Sequence, residues 1–450
     1  MARVLIPNGA VGLGFDRAAL KRGVGMAPDI IAVDGGSTDS GPHYLGTGTS
    51  KYSRAGTKTE WRAFMEARAQ AGVPLVVGSA GTCGTDSTVD WMAQITEEIA
   101  RESGQKLRVA RLYSDQPKAR VQAALSREAI RPLAPSKPLQ AEQLEACTNI
   151  VALAGAEQIA AALDTGADIV IAGRTTDTAT IAALPIAKGA KPGAAWHGAK
   201  IGECGALCST RPTSGVVVID FDETGFTVEP MAKGAICTPQ SVSAHMLYEN
   251  SDPFILHEPG GHLDVRGARY AQLDPRRVRV EGSEWIKGPY TVKLEGAAVA
   301  GYQTTSIALL REPRYVANAA VWARRLEAIV REQTLRDLGL AEGSFTLEIR
   351  LMGIDATLGA LETAKSGASE VGVMLIATAP SQQAASDIAL LANPLMLHMP
   401  LSDEEPQATF AFPFSPPESE RGAAYSFALN HVMALDDPME AFRLEISEIG

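Results

Sequence analysis

The sequence predicts an α/β protein, an N-terminal doubly wound, mostly parallel sheet over residues 1–190 followed by an α+β domain over 191–450 that completes the site. Three observations carry this. Five short apolar runs before residue 180 each end in glycine or polar turn residues. Amphipathic helical patterns separate them, and that alternation stops after about residue 190.

The first run, Arg3-Val-Leu-Ile-Pro-Asn-Gly, is repeated in design by Asp29-Ile-Ile-Ala-Val-Asp-Gly-Gly and Pro74-Leu-Val-Val-Gly-Ser. Leu107-Arg-Val-Ala-Arg-Leu and Asp168-Ile-Val-Ile-Ala-Gly-Arg complete the set. Helices are expected over residues 59–71, 88–103 and 156–163, with the polar Asp86-Ser-Thr-Val-Asp segment capping the second. Further on, Gly215-Val-Val-Val-Ile-Asp-Phe, Val278-Arg-Val and Tyr290-Thr-Val-Lys-Leu have no long helix between successive strands, which reads as antiparallel sheet. A helix over 316–338, strands near 345–354 and 371–378, and a helix over 382–392 follow, and Pro413-Phe-Ser-Pro-Pro is an extended piece.

Composition narrows the function classes. A formal net charge of -11 argues against a phosphate-backbone ligand, which demands clustered Lys and Arg, so no nucleic-acid partner is expected. The cluster Arg276, Arg277 and Arg279 either cradles an anion or faces solvent. No run of 18 apolar residues appears and Pro7 interrupts the amino terminus early, so neither a membrane partner nor a signal peptide is expected and a cytoplasmic location follows. Five scattered cysteines imply reduced thiols; Cys204 and Cys208 have half of a zinc-site spacing with no second pair.

In an open parallel sheet ligands gather at the carboxyl ends of the strands, which directs attention to four loops. Asp34 to Gly48 packs two carboxylates, two serines, a histidine and five glycines, so Ser37, Asp39 and His43 become candidates; the competing reading is a connection built from Asx and Ser/Thr turns. Gly78-Ser-Ala-Gly-Thr-Cys-Gly-Thr-Asp opens a helix, and its amides point to anion capture by Ser79, Gly81, Cys83 and Gly84, unless Cys83 is a small buried residue. The segment is neither a Walker A sequence nor Gly-x-Gly-x-x-Gly. Gly173-Arg-Thr-Thr-Asp offers Arg174 as a fork for a carboxylate and Asp177 as a proton carrier, or else an internal Arg–Asp pair. His245-Met-Leu-Tyr-Glu and His257-Glu-Pro-Gly-Gly-His-Leu-Asp supply His257, Glu258, His262 and Asp264 as metal ligands or an acid/base pair, or form a plain turn between strands.

In order along the chain, Asp34-Gly-Gly-Ser, Gly78-Ser-Ala-Gly, Ile171-Ala-Gly-Arg-Thr-Thr-Asp and Asp252-Pro-Phe with Glu258-Pro-Gly-Gly resemble the acyclic terpene utilisation AtuA-like family over nearly the whole chain. That resemblance implies catabolism of branched acyclic acids or their CoA thioesters. It also implies a small companion subunit for some members, and it transfers no catalytic residues.

The expected activity is that of a hydro-lyase on a small hydroxy- or unsaturated carboxylate or its CoA ester. Arg174 and the amides of residues 79–84 hold the anion, Asp39 or His43 takes the proton, and Asp177 or Glu258 serves the departing hydroxyl. No redox cofactor is expected. A carbon–carbon lyase acting on a 3-hydroxyacyl-CoA is the alternative and would bring in Mg²⁺ or Mn²⁺; a non-catalytic subunit of a two-component enzyme is the third reading. A homo-oligomer is expected.

Overall fold

The computed structural model describes residues 1–364 and 367–450. The chain forms two compact units, one of Met1–Ala298 with Phe427–Gly450 and the other of Val299–Ser426. Among the described residues no helix is long and apolar enough to cross a membrane.

The five apolar runs are the strands β1 (Ala2–Ile6), β2 (Ile30–Asp34), β3 (Leu75–Gly78), β4 (Leu107–Tyr113) and β5 (Ile169–Ala172). They lie parallel in the order β1-β2-β3-β5-β4, so the carboxyl ends of all five meet at one edge. Their near-continuous hydrophobicity follows from burial on both faces. Alternate side chains serve opposite layers: Leu5, Ile31, Val33, Val77 and Ile171 pack with Trp61 and Phe64. Val4, Ile30, Ala32, Val76 and Val170 pack with Ile159, Ile181 and Trp196.

Helices α1 (Arg17–Val24), α2 (Arg54–Ala71) and α3 (Asp86–Ser103) form the first layer, and α4 (Ala156–Leu163), α5 (Ala179–Ala187) and α6 (Pro192–Gly202) the second. Asp16 caps α1 and Ser53 caps α2 through side-chain oxygens that accept backbone N–H groups, while Gly72 closes α2 in the left-handed region. The expected capping of α3 by Asp86 does not occur. Asp86 lies inside the first turn and accepts instead from the Asp115 N–H at 3.1 Å and from Arg443 at 3.0 Å.

The boundary expected at residue 190 is replaced by a different division. Strand β1 has an open edge after pairing with β2, and the antiparallel strand β6 (Val217–Phe221) satisfies its free backbone groups from Ala2 to Ile6. Strands β7 (Gly225–Pro230), β8 (Arg269–Gln272) and β9 (Val278–Glu281) extend the same sheet, and β10 (Arg443–Ile449) covers β4 at the other end. Residues 191–298 therefore belong to the first unit. Buried α6 packs Trp196 in a stack on Trp285 at 5.3 Å. Its His197 bonds to Ser283 Oγ at 2.6 Å and to the Tyr270 hydroxyl at 3.1 Å, so this histidine is a satisfied core residue, and burial lowers it to about 3.

In the second unit the strand Val371–Ala379 lies between two antiparallel neighbours, Thr346–Met352 on one side and residues 302–310 of the long strand Thr291–Leu310 on the other. The helices Ala319–Asp337 and Gln382–His398 share a core with them around Trp322, Val330, Val373 and Met396. The single helix expected over 316–338 is broken at Asn318, after the short helix Pro313–Ala317.

Candidate active site

At the carboxyl edge of the parallel strands lies a cleft of about 470 Å³ within the first unit. Four of its walls come from strand ends. After β1, Asn8 and Gly9 enter a loop fastened by one α2 carboxylate: Glu60 accepts from Asn8 Nδ2 at 3.2 Å, from the Gly12 N–H at 2.8 Å and from the Gly14 N–H at 2.7 Å. After β2, Asp34 is only 5% exposed; its Oδ2 accepts from the Gly36 N–H at 2.9 Å, whereas its Oδ1 has no partner among the described residues. Gly35 must be glycine, since a β-carbon there would lie 2.3 Å from the Ser79 carbonyl oxygen.

After β3, Thr82 lines the cleft, while Ser79, outside the lining and buried with a φ of 44°, accepts from Arg174 Nη1 at 2.9 Å through its hydroxyl. After β5, Asp177 reaches the cleft beside Arg174, with Oδ1 3.5 Å from Nη1. The remaining wall is formed by Glu203 and Cys204 after α6, Tyr248 and Glu249 from the loop before the hairpin, and Lys51 with Tyr52.

The electrostatics of this cleft are unusual for their concentration of carboxyl groups. Burial, reinforced by the negative charge of Asp177, raises Asp34 well above the usual carboxylate range, with Arg174 opposing. Asp177 is itself raised by burial and by Asp39, again against Arg174. Glu203 is pushed well up by burial although Lys200 donates to its Oε1 at 2.5 Å. Glu249 is raised by burial and by Asp39. The cation lining the cleft is Lys51, whose ammonium rests 5.6 Å from the Tyr52 ring centre.

Of the residues expected from the sequence, Ser37 and Asp177 line this cleft. Asp39 is exposed and accepts from Ser37 Oγ at 2.6 Å; its charge is felt by Asp177, Glu249 and Tyr248, which places it beside the cleft. His43 is exposed on the short helix His43–Thr47 with its ring against Tyr44, outside the cleft lining.

Arg174 does not present its fork to a ligand. It is buried, with Nε bonded to Glu295 Oε2 at 3.1 Å, Nη1 to Ser79, and the Asp177 carboxylate alongside. Burial would raise Glu295, but Arg174 and Lys293 outweigh it and hold this carboxyl at about 2.

The anion-capture reading of the loop after β3 is replaced by a packing one. Gly84 has a φ of 63°, and a β-carbon there would lie 2.1 Å from the Arg174 backbone nitrogen; one on Gly81 would meet the Thr88 side chain at 2.8 Å. Cys83 is fully buried in an apolar cluster with Leu45, Val151 and Ala297. Replacing Cys83 by Ala is therefore expected to leave turnover within about twofold of wild type and to cost about 1 kcal/mol of stability. Paired kinetics and urea unfolding check this, and a rate lost without loss of stability would return Cys83 to the site.

Glu258 is buried behind the cleft, where it accepts from the Thr178 hydroxyl. It closes the strand Ile255–Glu258, which pairs with Gly261–Asp264 across Pro259 and Gly260, so Pro-Gly-Gly is the turn. His257 and His262 stand opposite each other in that hairpin, and Asp264 pairs with Arg266 at 2.5 Å, so the hairpin does not gather its four candidate ligands. Arg276 donates to the Ala235 and Pro230 carbonyls, Arg277 pairs with Asp274 and Arg279 with Asp222, which leaves no anion cradle there.

Burial pushes Glu258 up to about 7, the Thr178 bond opposing. Because the folded value lies above the ordinary 4.5, its contribution is fully present below that pH and is lost as pH rises through about 7. The difference is about 3 kcal/mol. The stability of wild type relative to Glu258→Gln is expected to fall between about pH 4 and 8; a flat difference in urea midpoints would contradict the assignment.

Asp34, Lys51 and Glu203 also line the cleft, although the sequence alone does not single them out. Asp34 had a usable signal, a carboxylate closing the wholly apolar run Ile-Ile-Ala-Val. Donor atoms able to hold a metal gather at Glu203, Cys204 and His245, within 4.8 Å of one another.

A doubly wound parallel sheet whose strand ends enclose a ligand-sized, carboxylate-lined cleft defines the chain as an α/β protein with a site at the strand edge. More particularly, it belongs to the acyclic terpene utilisation protein AtuA family, whose model matches residues 48–409. No curated protein and no solved structure matches the chain. The family name agrees with a catabolic role.

Proposed function

We propose that the chain is a lyase that adds water to, or removes it from, a small hydroxy- or unsaturated carboxylate or its CoA thioester. The observation that carries this reading is the pair Asp34 and Asp177, two carboxyls on one cleft, where burial raises Asp34 and the charge of Asp177 raises it further. Two carboxyls that act on each other, so that one holds its proton while the other is ionised, are what elimination of water needs.

In the dehydrating direction Asp177, as carboxylate, takes the proton from the carbon beside the carbonyl. The carbon–oxygen bond breaks, and the leaving hydroxyl receives the proton of neutral Asp34 and departs as water. Proton return from Asp177 to Asp34 through solvent restores the starting state. Lys51 pairs with the substrate carboxylate, the role first expected of Arg174.

Incubation with a panel of hydroxyacids and acyl-CoA thioesters, read by mass, tests this. Gain or loss of one water is expected. Release of an acyl fragment would instead favour the carbon–carbon lyase, a reading to which the Glu203, Cys204 and His245 donors lend weight through metal polarisation of a carbonyl.

A further inference from the structure

We propose that Glu203, Cys204 and His245 form a zinc site on the wall of the cleft. Glu203 and Cys204 follow the last turn of α6, and His245 is brought to them from the end of the helix Pro239–Ala244. One donor atom from each lies within 4.8 Å of the others, and Glu203 and Cys204 face the cavity. His245 is 4% exposed, and its Nε2 is a buried ring nitrogen with no partner among the described residues. Leaving such a group unpaired is unfavourable, and ligation removes that cost.

Each donor is held in place by a neighbour. Lys200 engages one oxygen of Glu203, and the same ammonium bonds the Tyr248 carbonyl at 2.8 Å. The Tyr248 ring stacks on His245 at 5.5 Å and 12°. The backbone of Gly9 packs so closely on Cys204 that a β-carbon would lie 2.9 Å from its α-carbon. Orienting contacts of this kind are what metal sites use around their ligands.

The donor chemistry selects the ion. Thiolate, imidazole and carboxylate together suit zinc, whereas Mg²⁺ and Mn²⁺ favour oxygen donors. Bonds of about 2.0–2.3 Å in tetrahedral geometry bring donors to about 3.3–3.8 Å from one another, so small rotamer shifts close the site around the ion. Three protein ligands leave the fourth position for water or a substrate oxygen. Ligation is independent of turnover, so this proposal and the lyase reading can fail separately.

The test uses the full chain freed of metal by a chelator. Calorimetric titration with Zn²⁺ is expected to give one ion per chain, and substitution by Co²⁺ a thiolate-to-cobalt charge-transfer band. Cys204→Ser and His245→Gln should each weaken zinc binding at least ~100-fold, while Cys208→Ser, in the core, should leave it unchanged. Should either variant fail to fold, mass-mapped alkylation of wild type serves, with zinc expected to protect Cys204. Absence of stoichiometric uptake, a cobalt spectrum without the thiolate band, unaltered affinity in a folded Cys204 or His245 variant, or alkylation of Cys204 indifferent to zinc would each overturn the site.

Discussion

Asp177→Asn is expected to lower kcat/KM by about three orders of magnitude, the contribution of a positioned general base, while shifting Tm by no more than a few degrees. The amide keeps an oxygen to accept from Arg174, so the local fold survives. A second effect separates this role from a structural one. Burial still raises Asp34, but loss of the negative charge that adds to it lets that carboxyl fall part of the way toward its ordinary range. Since Asp34 acts as the acid, the alkaline limb of the residual pH profile moves to lower pH. Turnover near wild type, or a profile that stays in place, would remove the pair from the chemistry.

Arg174→Ala should act on the fold before it acts on catalysis. The guanidinium is enclosed by Glu295, Ser79 and Asp177, and its removal takes the ion-pair partner from Asp177 and leaves buried Glu295 with only the partly exposed Lys293 as its cation. A cost of about 3–5 kcal/mol is expected in urea unfolding, since one partner of a buried pair has been taken away. The double variant Arg174→Ala with Glu295→Gln should recover part of that loss, because the stranded carboxylate is gone. A stable single variant impaired in KM alone would restore Arg174 to the role of substrate anchor.

These two residues also show how far the sequence could be read. The five parallel strands were legible because burial on both faces forces continuous apolar runs, and the loops closing them were located by the same signal. The antiparallel strands were legible as well, but not their partner: nothing local to residues 217–221 says that they will pair with the open edge of β1. Arg174 read as a ligand fork because its partner, Glu295, lies 121 residues away. Cys83 and Gly84 looked like an anion loop, yet their spacing serves close approach of the β3 and β5 loops, a constraint that appears only once the strands are adjacent. Cys204 was visible as half of a metal spacing with Cys208, but its neighbours in space are Glu203 and His245.

The proposed chemistry requires substrate to bind at the strand ends of the parallel sheet. A crystal structure of Asp177→Asn soaked with the acid or thioester that the mass screen identifies tests this most directly. The substrate is expected in the cleft, its carboxylate or thioester carbonyl toward Lys51 and its reacting carbon between residue 177 and Asp34. Substrate seated elsewhere, for instance in the hollow lined by Asp86, Asp115 and Arg443, would contradict it.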